Sequence, residues 1–381
     1  MTKMKKIILG VSLLALALFL GACSLNSAKI TNNEPIKIGF VSSLTGDAAS
    51  WGMPAKQAAE IAVDKINNEG GINGRKLELI YEDDKCNGQE AVSVFNKLLS
   101  IDKVPAVIGT MCSGVTLAMA PIAEQNKVLL LSAGSSAPAI KDAGDYTFSI
   151  YPLDNYEAGL LADLAYDKLG KTKVAMLYAN NDYGKGGKDV FAKEFTSKGG
   201  QIILSENYLV GTKDFRIQLT KIKNSDAEVI FIFGQPNEMI PILQQIHELG
   251  ITTQIIASSV TIETDDLKKL GANLANGVIY TSVKTESNDN SEYLKQEFKK
   301  RFNKDSDLLA ALGYDTVLLT AEAIKHVGLD ATKMKDYLYT IKNFPGASGT
   351  MSFDKDGTVI KDFIYKQVVN GEFVSYEKSI K

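Results

Sequence analysis

Residues 36–84 read IKIGFVSSLTGDAASWGMPAKQAAEIAVDKINNEGGINGRKLELIYEDD, and the order of elements within them decides the fold. IKIGFVSSL is an apolar strand running into a polar loop. AKQAAEIAVDKINNEGG (55–71) carries apolar residues at helical spacing and stops at Gly70-Gly71. KLELIYEDD (76–84) is a second strand. Strand, helix and strand in this order predict a parallel pair with the helix laid across it.

The same alternation runs outward. EAVSVFNKLLS, VPAVIGT, GVTLAMAPIAEQN and VLLLSAG continue it as helix, strand, helix, strand up to Gly134. The pattern restarts after residues 149–154 with NYEAGLLADLAYDKLG and KVAMLYAN, and then runs through AEVIFIFG and QIIASSV. GVIYTSV, long helices near 291–302 and 308–327 and a short one near 332–341 follow. Asp356-Gly357 and Asn370-Gly371 mark turns in a hairpin-like tail. The expected class is α/β, with two doubly wound parallel-sheet lobes. In such sheets ligands sit beyond the carboxyl ends of the strands.

Upstream, MTKMKKIILGVSLLALALFLGAC (1–23) has a basic start, an apolar run shorter than a membrane span, and Leu-Gly-Ala before Cys23. It resembles a bacterial lipobox, which implies cleavage after residue 22, acylation of Cys23 and an extracytoplasmic protein tethered by lipid. Residues 23–34, rich in Ser and Asn, read as the tether.

Composition narrows the function. The formal net charge of −3 gives no basic footprint for nucleic acid. Two histidines, His247 and His326, both lie in helix-like patterns, leaving little material for a Ser/His/Asp triad or a metal site. No cofactor is expected. Cys86 and Cys112 are an even pair in an oxidising compartment, either bridged or two buried thiols.

The chain from Ile36 onward resembles the type I periplasmic binding proteins, specifically the leucine/isoleucine/valine receptors of ABC transporters. DKINNEGGINGRKLELIYEDDKCN (64–87) carries most of the resemblance, with SSLTG (42–46), PNEM (236–239) and FDKDG (353–357) in support. It implies a disulfide between Cys86 and Cys112 and three hinge crossings, near 149–154, 278–282 and 347–352. Lobe one would comprise 35–150 plus 281–348, and lobe two 151–280 plus 349–381. The implied partners are a small-molecule ligand, the permease and ATPase subunits, and the membrane through the lipid. The receptor would act as a monomer.

The candidate site follows from strand ends. Ser113 opens a helix after VPAVIG, where unpaired N–H groups, the positive dipole and a hydroxyl suit a carboxylate. A plain N-cap serine is the other reading. The resemblance gives Ser113 the carboxylate-binding role, Gly134 and Ser136 the two ends of the amino-acid zwitterion, Trp51 a lid in the loop after the first strand, and Tyr183 a reach across the cleft. It also exposes two departures. Ser259 stands where leucine-type receptors have an acidic residue for the ammonium, and Gln235 replaces an aromatic. A buried ammonium needs an anion or several acceptors, so Asp154 or Asp182 would serve, or the ligand is another small carboxylate or an amide. The expected function is capture of a small aliphatic, branched-chain amino acid for an ABC permease. A ligand sensor of the same fold is the alternative, and a hydrolase lacks its motifs.

Overall fold

The computed structural model describes residues 34–376, apart from 264–266, 268–272 and 286. The leader, Cys23 and most of the tether lie outside the described residues. The elements from Ile36 onward make one compact unit.

The first sheet contains β1 (Ile36–Ser42), β2 (Leu77–Asp83), β3 (Ala106–Ile108), β4 (Leu129–Ser132) and β5 (Thr147–Ser149), in the order β2-β1-β3-β4-β5. Every pairing in it is parallel. Its helices are α1 (Ala49–Asn68), α2 (Gly88–Lys97) and α3 (Ser113–Asn126). After β5 the chain enters α4 (Asp154–Asp163), β6 (Lys173–Ala179), α5 (Asp182–Ser197), β7 (Gln201–Tyr208), α6 (Arg216–Lys223), β8 (Val229–Phe233), α7 (Pro236–Glu248), β9 (Gln254–Ala257), α8 (Ser259–Ile262) and β10 (Ile279–Val283). Then come α9 (Asp289–Phe302), α10 (Leu308–Val327), α11 (Ala331–Thr340), β11 (Phe344–Gly346), β12 (Gly349–Met351), β13 (Phe363–Val369) and β14 (Glu372–Ser375). The second sheet runs β14-β13-β10-β9-β8-β6-β7, parallel except where β13 turns back on β10 and β14 on β13.

Parallel strands covered on both faces read as continuous apolar runs. VIFIF in β8 is buried at every position, as is LLLS in β4. The long helix α10 returns to the first sheet and lies on α1, where Gly313 lets it approach: a side chain there would overlap the Ala55 backbone. Both histidines are exposed on helices.

Strand pairing moves two of the expected boundaries. Residues 281–283 stay in the second sheet, because Thr281, Ser282 and Val283 pair with Tyr365, Ile364 and Phe363. The chain leaves that sheet at Lys284, whose N–H bonds the Asp362 carbonyl. Residues 349–359 belong with the first sheet rather than the second. β12 pairs with β11, Gly357 accepts the Ser149 N–H, and the Phe353 ring meets Phe148 edge-on at 5.3 Å. Burial of Met351, Phe353 and Val359 holds this segment there, so the tail enters the second sheet only at Phe363. The hairpin at Asn370-Gly371 forms as expected, with Val369 opposite Glu372. Among the described residues no helix is long and apolar enough to cross a membrane.

Candidate functional site

The loops at the carboxyl ends of β1, β2 and β3 are wired together. The Asp84 carboxylate accepts from the Ser43 hydroxyl at 2.6 Å and the Cys86 N–H at 2.7 Å, and burial pushes its pKa up to about 6. Cys86 is disulfide-bonded to Cys112. Cys112 is the residue before α3, so the bridge fixes the start of that helix, and Ser113 is its first residue.

The Ser113 hydroxyl oxygen accepts the N–H groups of Ser136 at 3.2 Å and Ala137 at 3.1 Å. Those bonds leave the hydroxyl proton available to an acceptor, beside the unpaired N–H groups of a helix start. A hydroxyl relay holds the 132–136 loop from beneath: Thr110 to Thr116 at 2.7 Å, and Thr116 to Ser135 at 2.8 Å. Ser149 donates to the Ser135 carbonyl at 2.6 Å. Gly134 packs against Met111, whose methyl would lie 2.9 Å from any Cβ there.

Trp51, Ser113, Gly134, Ser136 and Tyr183 share one small cavity. Trp51 occupies the first turn of α1 rather than the loop before it, and Tyr183 the first turn of α5. Their rings meet edge to face at 5.9 Å, and Tyr183 lies on Phe233 at 4.5 Å. The Tyr183 hydroxyl bonds Ser258 at 2.8 Å. Residues missed from sequence complete the wall: Met111, Tyr151, Val260, Leu309 and Leu312. Tyr151 follows the fifth strand, and the strand-end rule would have found it. Leu309 and Leu312 carried no signal, since they look like any apolar helix pair. The cavity is about 20 Å³, room for roughly one water molecule. An amino acid therefore enters only if the walls move apart.

Asp154, Gln235 and Ser259 lie outside that wall. Asp154 is fully buried as the first residue of α4, and its N–H bonds the Ser136 carbonyl at 2.8 Å. The Ser136 hydroxyl is near its carboxylate, but neither oxygen is in hydrogen-bonding geometry with any group. Burial holds its pKa well above the usual carboxylate range, and the Glu157 charge adds to the effect. Gln235 is buried just before α7 with both amide atoms unpartnered. Ser259 is committed elsewhere: its N–H at 2.8 Å and hydroxyl at 3.1 Å donate to Glu157 Oε1, and its hydroxyl meets Tyr151 at 2.8 Å. Glu157 also accepts from Thr281 at 2.6 Å and Tyr151 at 3.2 Å, and burial raises its pKa as well. The sequence reading overlooked Glu157. Asp182 is exposed and outside the cavity, with its carboxylate against Gly114.

The first turn of α5 closes on the first sheet's loops through positions lacking side chains. A Cβ at Gly114 would lie 2.6 Å from the Asp182 carboxylate, and one at Gly186 2.6 Å from Pro138. Asn237 of α7 donates to the Asp47 carbonyl at the other edge.

Two doubly wound sheets with facing strand ends around an enclosed cavity define a type I periplasmic-binding-protein fold. The chain belongs to the Periplasmic binding protein family, which it matches over residues 35–372. It is 26% identical over 333 residues to a leucine-, isoleucine-, valine-, threonine- and alanine-binding protein of Pseudomonas aeruginosa, covering 87% of this chain and 88% of that one. It resembles the branched-chain amino-acid transporter substrate-binding protein LivJ of Streptococcus pneumoniae, solved with isoleucine: 30% identity, TM-score 0.81, 89% of this chain and 97% of that one. A solute-binding protein of R. palustris, solved with benzoate, shares the fold at 18% identity and TM-score 0.82, covering 90% of this chain and 95% of that one. The protein is thus a solute-binding protein of the ABC-transporter type, and its relatives are binding proteins rather than enzymes.

Proposed function

We propose that this chain is a lipid-anchored receptor, acylated at Cys23, that captures a small aliphatic amino acid of the leucine type between two lobes and passes it to a permease. The observation that carries the reading is Ser113, held at the start of α3 with a donor to spare, in one cavity with Gly134 and Ser136. The ligand carboxylate meets that helix start, and its side chain lies among Trp51, Tyr183, Leu309 and Leu312. Opening and closing of the lobes reports occupancy to the transporter.

The test is the melting temperature of the mature, unacylated protein against leucine, valine, alanine, glutamine and the α-keto acid of leucine. Ligand at 100 times its dissociation constant stabilises by about 2.7 kcal/mol. Ser113→Ala should weaken leucine binding about 10- to 100-fold, as expected for losing a hydrogen bond to a charged group. Unchanged affinity in that variant would move the carboxylate elsewhere. A second reading, an amide-bearing ligand, is favoured by the unpartnered Gln235 amide. It predicts a larger shift with glutamine than with leucine.

A further inference from the structure

Two carboxylates, Asp154 and Glu157, are fully buried one helical turn apart beside the cavity. Among the described residues no Lys, Arg or His is ion-paired with either. Their environments differ. Glu157 accepts from the Ser259 N–H, from the Thr281 hydroxyl and from the mutually bonded Ser259 and Tyr151 hydroxyls, so its charge is spread over donors. Asp154 accepts none. Its backbone N–H is tied to Ser136, which together with Tyr151 and Tyr183 lines the cavity. The titratable groups facing it are Glu157 on its own helix, Tyr151 from the segment before that helix and Tyr183 from α5. An ionised Asp154 with only the nearby, misaligned Ser136 hydroxyl to serve it, beside a second carboxylate, is costly. A proton removes the cost, and so does an external cation.

Resting on the amino-acid reading above, we infer that Asp154 and Glu157 form a two-carboxylate ammonium site in which Glu157 supplies the fixed charge and Asp154 exchanges a proton for the ligand's ammonium. In the empty receptor Asp154 is a neutral acid. When the ligand enters, Asp154 loses that proton to the solvent, its carboxylate accepts from the ammonium, and no other bond changes. The site therefore prefers a cationic amine to the matching keto acid, although residue 259 is not acidic. Binding is coupled to proton release.

The experiment is calorimetric titration of the mature protein at neutral pH in phosphate and in Tris, with leucine or whichever amino acid of the panel gives the largest melting shift. Tris takes up protons with much more heat than phosphate, so binding should be more exothermic in Tris. Asp154→Asn should erase that difference and weaken amino-acid binding about tenfold or more, with the keto acid affected less. Glu157→Gln removes the neighbouring charge but leaves Asp154 buried, so proton release should persist while amino-acid binding weakens and remains measurable. A ligand-free measurement checks the same group. With its pKa raised on folding, Asp154 binds more protons folded than unfolded, so stability falls as pH rises from the ordinary carboxylate range toward its folded pKa. Asp154→Asn should flatten that fall and melt higher than the parent chain at neutral pH. Tight amino-acid binding with equal heats in both buffers, or parental affinity in Asp154→Asn, overturns the ammonium site and leaves the receptor reading standing. No binding by any amino acid overturns both.

Discussion

Asp315→Ala is expected to destabilise the protein by about 3–5 kcal/mol, the range for leaving a buried charge uncompensated. Asp315 lies in α10, and its carboxylate accepts the N–H groups of Ala347 at 2.7 Å and Ser348 at 2.8 Å and the Ser348 hydroxyl at 2.6 Å. Lys361, on the segment that carries the chain into the second sheet, donates to that hydroxyl at 2.8 Å and to the Ser348 carbonyl at 3.1 Å. Burial lowers the Lys361 amine to about 8, while the Asp315 charge opposes the shift. The alanine variant strands a buried ammonium and two backbone donors together. The urea midpoint should fall with little change in slope. Because the Lys361 pKa is lowered on folding, the folded state binds fewer protons than the unfolded one above about pH 8, and stability rises with pH there. The loss in Asp315→Ala should accordingly be smaller near pH ~9 than near pH ~6. Adding Lys361→Met should restore part of it, a coupling that a double-mutant cycle reads directly. A loss below about 1 kcal/mol would put the triad among ordinary surface pairs.

Removing the disulfide, by Cys86→Ser with Cys112→Ser or by reductant, should cost about 3.5 kcal/mol, the loop-closure value for cysteines 26 residues apart. The effect should reach the ligand as well. Lys85 and Cys86 sit in left-handed backbone conformations, which non-glycine residues adopt reluctantly and which the bridge and Asp84 hold in place. Freed, that turn no longer fixes Cys112 or the first turn of α3, and Ser113 loses its orientation toward the 134–137 loop. Leucine affinity should fall along with the melting temperature. An unchanged melting temperature under reductant would mean that the loops after β2 and β3 are held by packing alone.

The fold was legible because parallel strands advertise themselves as apolar runs. VIFIF and LLLS have no other use in a chain whose helices carry their own periodicity. Helix starts were harder. The neighbours of Trp51, Ala48-Ala49-Ser50 and Gly52, show no apolar stripe, so Trp51 was expected in a loop, whereas α1 begins at Ala49 and takes in Gly52 and Pro54 near its first turns. Gly52 is needed there because a side chain would overlap the Ser43 backbone. Within the site, Ser113, Gly134 and Ser136 could be found because they follow strands. Glu157 could not. An acidic residue in a helix's first turn reads as a solvent-facing dipole partner, and only folding sets Ser259 and Thr281 upon it, more than 100 residues downstream. Ser259 was expected to face the ligand for the same reason: the sequence does not show that a nearer acceptor had claimed its hydroxyl.

At Gly114 and Gly186 the two sides of the cavity rest on each other with bare backbone. Such positions act as stops. A methyl at Gly186, against the Pro138 ring, would hold the gap ajar without touching anything bound inside it, whereas at Gly114 the Asp182 carboxylate can swing aside. Apparent affinity depends on the fraction of molecules able to shut, so a substitution at Gly186 is expected to weaken ligand holding and speed release. Substitutions there could retune capture and release while the specificity residues stay as they are.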